Sequence, residues 1–157
     1  MADYLGDELA RLLDEYDEKR RAVLAREQKG RDDDARFVAR FAELRRGVIR
    51  PAFKRAAALL AERGHKVSIT EQEYSVDTGS KVTEAGISIH IVPAGAASAR
   101  EAPGRALSIS TRHYNKTVAI SAGKPLEGAK GSHSLEHLDR RLVEEELVGF
   151  VAGIVAG

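Results

Sequence analysis

The chain has 157 residues, 43% hydrophobic and 31% charged, with a formal net charge of +1 and no cysteine. That composition describes a folded domain long enough for a core, and it excludes disulfides, thiolate metal sites, a cysteine nucleophile and a strong global field. Aromatic residues make up only 5% and tryptophan is absent, so stacking platforms for bases or sugars are scarce.

Asp3 is placed to cap a first helix, with Asp7 and Glu8 near its positive end. Leu5, Leu9, Leu12, Leu13, Tyr16, Val23 and Leu24 recur at helical spacing and form one apolar stripe. Lys29-Gly30 predicts the end of that helix, a cation beside the last carbonyls and then a residue free to turn left-handed. Asp32-Asp33-Asp34 predicts the start of a second helix, with Phe37, Phe41, Leu44 and Val48 on its apolar face and Glu62-Arg63-Gly64 at its end. Pro51 has no N–H to offer the carbonyl of Gly47, which predicts a kink there. Residues 1–64 are therefore expected as an antiparallel helical hairpin.

Residues 65–123 read as four antiparallel strands. Val67 and Ile69 begin the first; Ile87, Ile89 and Ile91 mark the second; Leu107, Ile109 and Thr111 the third; Val118, Ile120 and Ala122 the fourth. Alternation of β-branched residues with Ser, Thr and His is the pattern of a sheet buried on one face. Glu71-Gln72-Glu73 interrupts the first strand as a bulge or a charged edge. Asp77-Thr78-Gly79-Ser80 is expected as the turn between strands one and two. Asn115-Lys116 is expected as a two-residue loop that sets His113 opposite Val118 and Thr111 opposite Ile120. The stretches 93–104 and 123–132 read as loops. A final helix, 133–157, is expected with Ser134 as its cap and Leu135, Leu138, Leu142, Leu147, Phe150, Val151 and Ile154 on its apolar face. The expected fold is a single α+β domain: helical hairpin, four-stranded antiparallel sheet, and C-terminal helix on the sheet's apolar face.

No catalytic residue and no cofactor is assigned. The segment His133-Ser134-Leu135-Glu136-His137 has the H-x-x-E-H form and resembles the zinc site of inverted-zincin peptidases. The resemblance implies zinc held by His133 and His137, with Glu136 as base; Glu144 is then a candidate third ligand on the same helical face. It covers five residues only, and no metal is assigned on it. The glycines Gly123 and Gly128 have phosphate-loop spacing, but Ala129 stands where such a loop needs lysine. Arg36, Arg40, Arg46, Arg50 and Lys54 form a basic stripe able to follow a phosphate backbone or to lie as a solvated face. On the polar sheet face, Thr70, His90, Arg112 and Tyr114 are candidates for an anionic ligand or for plain solvation. Gly149, Gly153 and Gly157 recur every four residues, a pattern for close helix packing on the chain's own sheet or on a second subunit.

The function expected from these features is a small cytoplasmic, non-enzymatic protein–protein interaction module, self-associating as a homodimer and binding another protein. Its contact is expected on Leu5, Leu9, Leu12 and Tyr16, with Gly149 and Gly153 as a further contact. Nucleic-acid binding through the basic stripe is the first alternative and zinc-dependent hydrolysis the second. Met1-Ala2-Asp3-Tyr4 shows no basic region leading an apolar run, which gives the cytoplasmic expectation. The apolar run 147–157 falls short of the roughly 20 residues of a membrane span.

Overall fold

The computed structural model of the chain describes residues 3–95, 105–122 and 129–156. Its described elements are long α1 (Tyr4–Leu44), a π-helical turn (Arg45–Ile49), α2 (Arg50–Glu62), seven strands, a 3-10 turn (Leu135–His137) and α3 (Arg140–Ala156). The chain divides into two compact units, Met1–Arg36 and Phe37–Gly157.

The helical hairpin is not formed: α1 is one helix of 41 residues that passes straight through Gly30. A glycine inside a helix costs about 1 kcal/mol relative to alanine, and the side chains around it offset that cost. Gln28 Nε2 donates to Asp32 Oδ1 at 3.0 Å and Arg31 donates to Gln28 Oε1 at 3.2 Å, bridging the glycine along the helix. The three aspartates that signalled a new helix lie inside the old one, where Asp33 sits 3.8 Å from the Arg36 guanidinium.

The interruption expected before Pro51 takes the form of the π-helical turn, in which the Arg50 N–H reaches the Arg45 carbonyl. Phe37, Phe41, Arg45, Ile49 and Phe53 all point inward, one every four residues. On a regular helix such a repeat rotates by about 40° per step. The wider turn at Arg45–Ile49 takes up that drift and returns Ile49 and Phe53 to the face of Phe41. Pro51 then falls in the first turn of α2, where its missing N–H is not needed.

The sheet has five strands rather than four, all antiparallel, in the order β1-β4-β5-β6-β7. They span Lys66–Gln72, Gly86–Val92, Ala106–Arg112, Thr117–Ala122 and Ala129–His133. The fifth, β7, falls in a stretch read as a loop, because its glycine and small residues carry no alternation. β2 (Ser75–Val76) and β3 (Val82–Thr83) form a separate two-stranded ribbon. The Asp77 turn closes this ribbon and does not join two strands of the main sheet. Asp77 Oδ1 accepts from the N–H groups of Gly79 at 2.9 Å and Lys81 at 2.8 Å, and Ser80 takes a left-handed φ of 64°.

Between β5 and β6 the register differs from the expected one by two residues: Thr111 faces Val118 and Ile109 faces Ile120. A shift of two preserves which face each side chain occupies, so the apolar pattern is satisfied equally well. Glu84 decides between the two. Its carboxylate accepts the His113 N–H and lies 3.1 Å from His113 Nδ1, which holds residue 113 in the loop.

The core lies between the sheet and the helices that follow Phe37. Phe41, Ile49, Phe53, Ile87, Ile89, Leu107, Ile109, Val118, Ile120, Leu138 and Val143 are buried to 1% exposure or less. Burying a side chain of that size contributes roughly 1.5–3 kcal/mol. α3 packs on the core through Val143, Leu147, Phe150 and Ile154. It begins later than expected: Ser134 makes no cap bond, and Asp139 Oδ1 caps the helix by accepting the Leu142 N–H at 2.8 Å. Among the described residues no helix is long and apolar enough to cross a membrane. Most of the expected loop at 93–104, together with 123–128 and Gly157, lies outside the described residues.

Candidate functional site: the apolar face of the first helix

No residue of α1 before Phe37 is buried. Leu5 is 67% exposed, Leu9 47%, Leu12 50% and Tyr16 62%, and Leu13, Val23 and Leu24 are exposed as well. A long helix in water draws most of its stability from packing its apolar face, and large apolar patches left open on a surface mark interaction sites. Local charge pairs support the helix meanwhile. Arg11 bridges Glu8 at 2.8 Å and Glu15 at 3.0 Å, and these two carboxylates raise its pKa, the Glu8 hydrogen bond foremost.

The small-residue pattern on α3 does not serve close packing on the chain's own sheet. Among the described residues, a methyl group placed on Gly149 or Gly153 would meet no atom beyond its own stretch of helix within 4 Å. Beside them, Val148 and Val155 are largely exposed. Together with Leu59, Leu60 and Val151 they line an apolar groove of about 390 Å³ between α2 and α3.

The basic stripe is largely engaged within the chain. Arg36 lies near Asp33, Arg40 bonds Glu43 at 3.1 Å, and Arg50 bonds Glu71 at 2.6 Å. Arg46 and Lys54 are exposed. The residue that the sequence reading missed is their neighbour Arg45, which is only 5% exposed. Arg45 Nη1 donates to the carbonyls of Gln72 at 3.1 Å and Gly86 at 3.3 Å, and Nη2 bonds Glu73 Oε1 at 2.6 Å. Its Nε lies 3.2 Å from Glu71, and its guanidinium carbon is 5.9 Å from the centre of the Phe41 ring. A signal for it was available: an arginine in the middle of an apolar every-fourth-residue repeat must carry its partners into the core with it.

On the outer face of the sheet, Ser88, Ser108, Ser110 and Ser121 line a trough of about 690 Å³, with Thr70, Arg112 and Tyr114 also along it. Ser88 and Ser108 share a hydrogen bond of 2.7 Å, and Arg112 donates to Ser132 at 3.0 Å. Thr70 is bonded to His90, which stands outside the trough. Three of the four polar-face candidates are thus gathered.

The zinc-like segment does not lie on an α-helix. His133 ends β7, while Glu136 and His137 sit in the 3-10 turn ahead of α3, so the one-turn spacing implied by the resemblance is not formed. Glu144 is bonded to Arg140 at 2.7 Å, and that hydrogen bond holds its carboxyl below the usual range. Among the described residues no group of three or more His, Asp or Glu is placed to hold a metal ion.

The fold that carries these surfaces is α+β, with a long N-terminal helix, a five-stranded antiparallel sheet and a C-terminal helix. No protein family, curated protein or solved structure matches the chain.

Proposed function

We propose that the chain is a cytoplasmic, non-enzymatic protein–protein interaction module that self-associates through the apolar face of α1. The observation that carries this reading is the row of exposed large side chains at Leu5, Leu9, Leu12 and Tyr16 on a helix with no buried residue before Phe37. Covering such a row supplies a driving force of roughly 25 cal/mol per Å² of apolar area removed from water. The open face of α3 around Gly149, Gly153 and Val148 supports a second contact, for another protein or for another copy.

Light scattering after size exclusion tests the reading, on wild type and on the variant Leu9→Asp/Leu12→Asp. Wild type is expected to elute with the mass of a dimer and the variant as a folded monomer. A wild type that is monomeric across the accessible concentration range would remove the reading.

A further inference from the structure

We infer that α1 pairs with α1 of a second copy in antiparallel orientation, about a two-fold axis between Leu12 and Tyr16. The inference rests on the self-association proposed above and adds the partner surface and its direction. Leu5, Leu9, Leu12, Tyr16 and Val23 fall on alternating three- and four-residue steps, broken only at Lys19. That is the spacing of a helix-to-helix seam. In the antiparallel pair Leu5 packs on Val23 of the copy and Leu12 on Tyr16, and each of these contacts recurs on the other side of the axis. A two-fold contact requires this reciprocity. Leu13, exposed beside the seam, meets its own counterpart near the axis.

Charge sets the direction. Residues 3–18 carry seven carboxylates against the single Arg11, while Lys19, Arg20 and Arg21 follow at once. A parallel pair would lay the acidic segments side by side and stack Lys19 on Lys19 within the seam. Like charges held together there are destabilising. The antiparallel pair instead brings Glu8, at the edge of the seam, level with Lys19 and Arg20 of the copy, and the acidic start of each helix beside the basic stretch of the other. Lys19 lies over Leu9, with its ammonium free to reach Glu8 as its methylenes cover the leucine. Glu15, the acid nearest its own counterpart, is held by Arg11 of its own chain at 3.0 Å.

The absence of cysteine makes a disulfide test clean. Two single variants, Leu5→Cys and Val23→Cys, are oxidised with copper phenanthroline separately and as an equimolar mixture, then separated on a non-reducing gel. The antiparallel pair predicts a covalent dimer in the mixture and little in either variant alone, since identical positions lie about 27 Å apart along the helices. Covalent dimers in each variant alone would establish a parallel pair and overturn the inference. Failure to cross-link in all three samples, with wild type dimeric by light scattering, would also overturn it and move the contact to another surface such as the α2–α3 groove. A monomeric wild type would instead overturn the self-association on which it rests.

Discussion

Arg45 is the buried charged side chain among the described residues, and replacing it by alanine is expected to destabilise the chain strongly. The guanidinium satisfies two strand carbonyls, Gln72 and Gly86, bonds Glu73 and lies against Glu71 and the Phe41 ring. A buried polar group that loses its partner costs roughly 1–3 kcal/mol, and removing one member of a buried ion pair costs about 3–5 kcal/mol. Glu73 is 77% exposed and can return to water, and Glu71 keeps Arg50, so no carboxylate is left buried alone and the carbonyls of Gln72 and Gly86 set the cost, about 3 kcal/mol. Urea denaturation in the Leu9→Asp/Leu12→Asp background keeps any association out of the measurement. With a slope of roughly 1–3 kcal/mol per molar, the midpoint should fall by about 1–3 M. Arg45→Met retains the bulk and loses the hydrogen bonds, and is expected to recover part of the loss. Glu73→Ala removes only an exposed partner and should cost under about 1 kcal/mol. An Arg45→Ala variant within about 1 kcal/mol of its parent, or a Glu73→Ala variant equally damaged, would contradict a buried anchoring role for Arg45.

Gly149→Ala has room for its methyl group, and better helix propensity should stabilise the chain by about 0.5–1 kcal/mol, read as a higher urea midpoint; a lower midpoint would mean that the position is packed. Glu144 has its pKa depressed by the Arg140 hydrogen bond, so its stabilising effect is present above the unfolded-state pKa and is lost as pH falls through the folded value. NMR titration of the Glu144 carboxyl should show its pKa rise toward the ordinary glutamate range in Arg140→Ala, and an unchanged value would contradict the pairing.

The sequence carried the strands and their faces because one-sided burial writes itself as alternation. Ile87, Ile89 and Ile91 face the core as read, and so do Ile109 and Ile120. Boundaries set by long-range partners were not legible. The β5–β6 register depends on Glu84, which reaches across from another strand end to hold His113. The start of α3 depends on Asp139 outcompeting Ser134 as a cap. Gly30 carries a stop signal that the bonds among Gln28, Arg31 and Asp32 override. β7 is held by pairing with β6, and nothing in its own residues signals a strand. At the candidate site, the stripe on α1 was plain from spacing alone. Its exposure was not, because the same stripe would equally have suited the inside of a hairpin. Arg45 escaped notice because a charged residue reads locally as surface.

Amide hydrogen exchange along α1, followed as the protein is diluted, tests most directly whether the exposed face is covered by a second chain. Coverage by a second chain predicts that amides around Leu5, Leu9, Leu12 and Tyr16 are protected when wild type is concentrated, and that this protection is lost in Leu9→Asp/Leu12→Asp while the sheet stays protected. Rapid exchange along that segment of wild type at every concentration, with the sheet protected throughout, would contradict it.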